Sequence, residues 1–447
     1  MSAASPSHPG RASSNRIDSA ALDAADPLAG FRARFLPAPG VVAYLDGNSL
    51  GRPAADVPAR MRDAIERQWG ERLIRSWDEG WLDRPLALGD RLGEVVLGAA
   101  PGQVVVGDST TVLLYKLIRG GIELARAGGA VGGAVGGADG ATPRDEVVVW
   151  RGDFPTDRYV VEGIAAERGM RIRWIGDATD AERAGGAVDA DAGPDAPDVT
   201  PESVAAVLSE RTALVVLSHI AYRSGALADL PAITRLVHDA GALVLWDLCH
   251  SAGAVPIELD ANEVDLAVGC GYKYLGGGPG APAFAYVAAR LLPAFAQPIQ
   301  GWLGSARPFE MGQGYAPADG VRRVLSGTPP ILATVALEAS LELIAEAGIP
   351  AIRAKGVALT EHAIALADEL IPDARLASPR DPARRGAHVT LDHPAFEAIM
   401  PRLWERGVIP DFRRPDGIRL GLSPLTTSFA EVEVGVRAIA EELARLR

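Results

Sequence analysis

Between Glu146 and Val287 the chain repeats one alternation that restricts its possible folds more than any other feature. Runs that are largely apolar, Glu146–Trp150, Arg171–Ile175, Thr212–Ile220, Ala242–Trp246, Val264–Cys270 and Ala283–Val287, are separated by segments with apolar residues at helical spacing. Strands apolar along their whole length are buried on both faces, so repeated β-α-β units of this kind predict a mostly parallel sheet flanked by helices. Thr200-Pro201 is an expected helix start, with a capping hydroxyl and a proline at the first helical position. Leu230–Gly241 reads as an amphipathic helix closed by its glycine. From about Leu332 the pattern changes to longer helices with short strands at His388–Leu391 and Gly417–Ser423, which predicts a smaller C-terminal α+β domain. The expected division is a disordered extension over 1–30, a segment over 31–60 packing with the smaller domain, a large domain over 61–315 and the small domain over 316–447.

At 447 residues and 48% hydrophobic content the chain can fill both cores. Its net charge of -13, with no basic patch, argues against nucleic acid and against an anionic membrane surface. No run of 18 apolar residues occurs. Cys249 and Cys270, the two cysteines, are too few for a disulfide framework, so a reducing cytoplasm is expected. The Ser/Pro-rich start lacks the apolar stretch of a secretion signal and reads as a disordered extension. Ala127–Pro143 and Ala184–Pro201, rich in Gly, Ala, Asp and Pro, are expected as surface insertions. The first lacks the Lys-Ser/Thr of a P-loop and the strand-to-helix setting of a dinucleotide fingerprint. Small-molecule chemistry remains.

Ligands of an open α/β sheet gather at the carboxyl ends of its strands. Those ends carry Asp153–Asp157, Ser218-His219, Asp247–His250 and Tyr272-Lys273. None of the seven histidines forms HxxxH and the two cysteines lack ligand spacing, so no metal is expected. Only three of the 44 basic residues are lysines, Lys116, Lys273 and Lys355, and Lys273 stands between an apolar run and a glycine cluster. A lysine amine drawn out of water loses its proton more readily and attacks an aldehyde, which pyridoxal phosphate (PLP) supplies. That cofactor needs a carboxylate for its pyridine nitrogen, an aromatic face and phosphate donors. Asp247, one strand before Lys273, is placed to be the carboxylate.

Taken in order, "YLDGNSLG" (Tyr44–Gly51), "DSTTVLLYKL", "DFPTDRYV", "SHIAYRSGAL", "WDLCHSAGAVP", "GCGYKYLGGGPG", "GWLG", "SGTPPIL" and "GIRLGLSPL" (Gly417–Leu425) resemble the kynureninase family over nearly the whole chain. The resemblance implies PLP fold type I, the aspartate-aminotransferase-like fold. It implies that Lys273 binds the cofactor covalently, Asp247 pairs with its ring nitrogen and Phe154 stacks on its ring, with Asp157 in the same loop. Thr110, Thr111 and Tyr272 are similar to the family's phosphate-binding set, and Ser218 and His250 to further cofactor contacts. Trp302 and Thr328 resemble residues that come from the neighbouring subunit of a homodimer. Arg419 matches the arginine that holds the substrate α-carboxylate, with Asn48 and Trp77 as further substrate contacts and Tyr272 as a proton relay. The implied reaction is hydrolysis of L-kynurenine to anthranilate and L-alanine, in tryptophan catabolism. Kynurenine is expected to be preferred over its 3-hydroxy derivative, because family members that favour the hydroxylated ring carry polar residues at the positions of Thr328 and Trp77. The competing reading, a cysteine desulfurase or selenocysteine lyase, needs a nucleophilic cysteine on a mobile loop, whereas Cys249 and Cys270 fall in the cofactor-side strands.

Overall fold

The computed structural model describes residues 18–128, 143–176 and 198–446, so most of both expected insertions and residues 1–17 of the extension lie outside the described residues. Seven strands, β2 (Val104–Gly107), β3 (Glu146–Trp150), β4 (Arg171–Ile175), β5 (Thr212–Ser218), β6 (Leu243–Asp247), β7 (Leu266–Cys270) and β8 (Ala283–Val287), form one sheet in the order β2-β8-β7-β6-β5-β3-β4. Only β8 runs antiparallel to its neighbours. The six other strands therefore end on the same edge. β3, β5, β6, β7 and β8 are buried along their whole length, as continuous apolar runs require. The outermost strand β4 instead carries Arg171 and Arg173, charges suited to a sheet edge.

A second sheet of five strands, β1 (Ala43–Leu45), β9 (Arg375–Leu376), β10 (His388–Asp392), β11 (Val408–Arg413) and β12 (Gly417–Gly421), has the order β1-β11-β12-β10-β9. β1 enters it parallel to β11. Helices start where the local chemistry favours them. Thr200 accepts from Ser203 N at 3.2 Å ahead of Pro201, and Asp229 accepts from Ala232 N at 3.0 Å ahead of helix Leu230–Asp239.

Two expectations about boundaries need correction. Residues 18–30 are not a disordered tail. Asp18 caps helix Ser19–Ala25, and the Asp23 carboxylate then accepts from Phe429 N and Ala430 N, both at 3.0 Å, at the start of helix Phe429–Ala444. Asp26 adds a buried ion pair with Lys355 at 2.7 Å. The core of the smaller unit also begins well after residue 316. Helix Ile331–Ala347 packs into the large core through Leu337, Leu341 and Ile344, and the second core is built from Ala43, Leu45 and residues from Leu359 onward. Segment 31–60 straddles the two, with Phe35 and Ala54 in the first core and β1 in the second.

Candidate active site

The carboxyl ends of β2, β3, β5, β6 and β7 converge on a cleft of about 500 Å³, open mouth included. Thr110, Thr111, Phe154, Asp157, Ser218, Asp247, His250, Tyr272 and Lys273 line it together with Thr156, Ile220, Tyr222 and Cys249. Helix Thr110–Arg126 begins at this cleft. Its N-cap Ser109 makes no side-chain cap, so the first-turn N–H groups are open to an anion at the end of the helix dipole. Asp108, just before, sits at φ +46, and Lys116 Nζ reaches back to its Oδ2 at 2.6 Å and to Val324 O at 2.8 Å.

After β3, Pro155 starts helix Pro155–Arg168 and Phe154 is left extended ahead of it. The Phe154 ring meets Tyr222 edge-on at 5.3 Å, and Lys273 Nζ lies 5.9 Å from its centre. Two carboxyl groups from the same turn are almost wholly buried. Asp153 Oδ1 accepts from Ser218 N at 3.1 Å, and burial pushes its carboxyl up to about 7 against the relief of that bond. Asp157 is pushed well above the usual carboxylate range, first by burial and then by the charges of Asp247 and Asp153. Asp247 Oδ1 accepts from Cys249 N at 2.7 Å. The Asp247 carboxylate is held in one orientation.

Lys116 and Lys355 are each locked onto a carboxylate, whereas Lys273 Nζ faces His250 Nε2 at 3.4 Å. Burial, and then the Lys273 charge, holds the His250 imidazole well below its usual value, so the ring is neutral with Nε2 turned to the amine. Tyr272 is raised above the ordinary phenol range, first by burial, and stays protonated. Gly51 clamps this turn from the N-terminal segment. Its N–H donates to Tyr272 O at 2.9 Å, and a Cβ there would fall 2.6 Å from Lys273 O. No larger residue fits.

Arg419, 1% exposed on β12, lies one layer behind the cleft. Nη1 donates to Tyr222 O at 2.6 Å, and Nη2 to Ser49 Oγ at 2.9 Å and to Asp411 Oδ2 at 2.5 Å. Turning the Asn48 amide over lets its oxygen accept from Nε at 2.9 Å and its nitrogen donate to Asp46 Oδ1 at 3.2 Å. Both terminal nitrogens of the guanidinium are engaged, and Asp411 holds Nη2, one of the two donors that a bidentate carboxylate would take.

Sequence comparison decides the family. The Kynureninase C-terminal domain profile matches residues 352–439, and that of the DegT/DnrJ/EryC1/StrS aminotransferase family matches 174–260. A kynureninase of Pseudomonas fluorescens is 38% identical over 437 residues, 96% of either chain. One from Burkholderia pseudomallei (strain 1106a) is 39% identical over 433 residues, 96% of this chain and 95% of its own. The chain belongs to the kynureninase family. Its fold is shared more widely, as fold type I of the PLP-dependent enzymes. An apo cysteine desulfurase from Thermococcus onnurineus NA1 superposes with a TM-score of 0.70 at 17% identity, covering 91% of this chain and 95% of its own. A C-DES mutant with glycine covalently linked to its PLP cofactor gives 0.72 at 18%, covering 89% and 96%. Those likenesses are of fold alone. Cys249 and Cys270 are buried beside the cleft here, not carried on an exposed loop.

Other residues expected from the kynureninase resemblance lie apart from the cleft. Trp77 packs edge-on against Trp81 at 5.7 Å. Trp302 packs on Phe309 at 5.9 Å and lines a separate surface cleft over Gln300–Ala316, and Thr328 is exposed. Sequence reasoning passed over Asp153, Tyr222 and Asp411 as individual residues. Asp153 stands in the "DFPTD" loop already singled out, and Tyr222 follows a strand end. The place of Asp411 depends on the β11–β12 register, which sets it opposite Arg419.

Proposed function

We propose that the protein binds PLP at Lys273 and hydrolyses L-kynurenine to anthranilate and L-alanine. The observation that carries this reading is the placing of the Lys273 amine, against a neutral His250, in the same cleft as the Phe154 ring and the buried Asp247 carboxylate. The cleft fits the cofactor on its own terms. It pairs an amine for an aldehyde, a fixed carboxylate for a ring nitrogen and an aromatic wall with a helix start whose N–H groups suit a phosphate. When bound, PLP supplies the aldehyde and a ring that takes up negative charge from the substrate α-carbon.

The remaining work falls to side chains. Lys273 takes and returns the proton at the α-carbon, with His250 aiming its amine. Asp247, oriented by Cys249 N–H, keeps its charge against the ring nitrogen. Tyr272, protonated and next in sequence to Lys273, gives its proton to the γ-carbonyl oxygen as water adds, recovers one from that water, and then holds it for the β-carbon. A group placed for such transfer contributes ~100 to 10,000-fold. Arg419 holds the α-carboxylate by exchanging Asp411 for it. Asp411 keeps Arg413 Nε as a partner at 2.8 Å when this happens. Trp302 and Thr328, apart from the cleft of their own chain, complete the cleft of a second subunit. With Thr328 and Trp77 where polar residues would favour a hydroxylated ring, kynurenine is the better substrate, by a modest margin, since apolar sites reject an added hydroxyl by only ~100-fold. The reaction belongs to tryptophan catabolism in the cytoplasm.

The test is direct. Purified protein supplied with PLP releases anthranilate, read by fluorescence, and an equal amount of alanine from kynurenine, and Lys273→Ala releases neither. Absence of anthranilate from wild-type protein that carries the cofactor rejects the reading. Higher kcat/KM with 3-hydroxykynurenine rejects the preference alone.

A further inference from the structure

His388 opens β10 at the seam between the two units and is 0% exposed. Among the described residues, neither of its ring nitrogens meets a partner at hydrogen-bonding geometry. Leaving a buried polar group unpaired costs about 1–3 kcal/mol, so a fully enclosed imidazole of this kind calls for a reason. The nearby Ala221 carbonyl already accepts from Gly225 N at 2.9 Å, which leaves one lone pair. The approach of the ring to the large unit is itself built in. Gly225 lies at φ +72, and a Cβ on it would stand 3.1 Å from His388 Nε2 and Cδ2. Only a bare α-carbon admits the imidazole there.

On its other side His388 faces His250, which lines the cleft. Its ring centre is 5.5 Å from that of His250, and His250 Nε2 is 3.4 Å from Lys273 Nζ. Pairing of Thr390 with Arg419 puts His388, two residues before Thr390, on the same face of the small sheet as Arg419. The charged and titratable groups around His388 are thus His250, Lys273, Arg419 and Arg413. Cations on this side and burial on every side leave His388 neutral, well below its usual value.

We propose that His388 is a positioning residue for Lys273, acting through His250 across the seam between the units. The inference rests on the reading of Lys273 given above. With the lysine amine as donor, His250 accepts at Nε2 and carries its own proton on Nδ1, from which it can be offered to His388. A neutral His388 has one acceptor nitrogen, and its N–H has the second lone pair of Ala221 O to donate to. An in-line N–H···N bond of about 3 Å between two imidazoles sets their centres about 5.3 Å apart, close to the 5.5 Å found here, so a turn of the rings completes the link. The result is a directed chain, Lys273 to His250 to His388 to Ala221 O, that fixes the His250 tautomer and aims the amine.

Two experiments test it. His388→Phe keeps ring volume and removes both nitrogens, whereas His388→Gln keeps one donor and one acceptor. In the Phe variant kcat falls ~10 to 100-fold with KM for kynurenine within ~3-fold of wild type, a loss at or below the low end of general acid-base contributions, as suits a residue that acts through another. The pH at which the visible band of the resting holoenzyme changes also moves by ~0.5 unit or more, and Gln restores most of both. An unmoved band titration and pH-rate profile in a Phe variant that melts like wild type overturns the proposal. Nitrogen-15 NMR of the histidines in wild-type holoenzyme is independent of any variant folding. It reads His250 neutral with its proton on Nδ1, and a charged ring or the Nε2–H tautomer overturns the proposal. Lack of PLP binding or of anthranilate release would instead fail the functional reading.

Discussion

Asp153, Asp157 and Asp247 share one buried corner, and burial decides how they divide their protons. Burial and the charges of Asp247 and Asp153 favour the neutral form of Asp157, so Asp157→Asn, a neutral group of similar shape, is expected to cut turnover by less than ~10-fold. Asp247→Asn removes the charge itself. Breaking one side of a buried charged pair costs ~3–5 kcal/mol, so the fold is kept while PLP binding weakens and turnover falls by orders of magnitude. Spectral titration with PLP and kcat measure both, and near-normal turnover in Asp247→Asn refutes the pairing. His219 carries a pH prediction. Burial, then the Arg353 charge, lowers its imidazole from an ordinary 6.5 to about 3. The unfolded chain binds that proton first, so the contribution of His219 to stability is complete above 6.5 and is lost as pH falls toward 3. Its limit is ~1.4 kcal/mol per pH unit. Asp153, raised to about 7, acts in the opposite sense over the range above 3.8, so the net slope of wild type is blunted. His219→Gln, followed by urea midpoints, should therefore lose less stability between pH 6.5 and 5 than wild type does. Equal slopes would show that His219 does not titrate with unfolding.

At the level of elements, the start of helix Thr110–Arg126 is held by a lysine two turns into the same helix. Lys116 braces Asp108 in its left-handed turn and ties it to Val324, in the stretch leading to Thr328. Lys116→Met should weaken PLP binding by ~10-fold and cost ~1–3 kcal/mol of stability, since Asp108 remains partly open to water. Melting curves and PLP titration separate the two effects. A stability loss with unchanged PLP affinity would mean that the pair braces only the core. Strands and capped helices were the legible part of this level. β3, β5, β6, β7 and β8 follow from apolar runs, the Thr200 helix start from local capping chemistry, and the helix from Leu230 from its apolar spacing and closing glycine. The helix Ser19–Ala25 was missed because its reason to fold is remote. Asp23 completes a helix more than 400 residues away in sequence.

For the molecule as a whole, the segments around Trp77 and Trp302 expose a concentration of large apolar side chains. Trp69, Leu73 and Ile74 in one, and Phe309 and Met311 in the other, are between 54% and 78% exposed. Such surface suits contact with a second copy, in line with the proposed shared sites. Mixing Lys273→Ala with Trp302→Ala, each expected to be inactive, should restore activity to about a quarter of wild type, because half of the dimers are mixed and each of those holds one intact site. No recovery after proven subunit exchange would mean that each site is built from one chain.

The run of strands, their ends, and the pairing of Lys273 with Asp247 on neighbouring strands were determined by the sequence alone. Each depends on periodicity and residue type within a few positions. Only the tertiary structure decided that β2 joins the far side of the sheet through β8, that Asp411 and Ser49 hold Nη2 of Arg419, and that His388 meets His250. These are meetings of residues far apart in the chain. Their register depends on how two independently buried units dock, and local pattern carries no record of that.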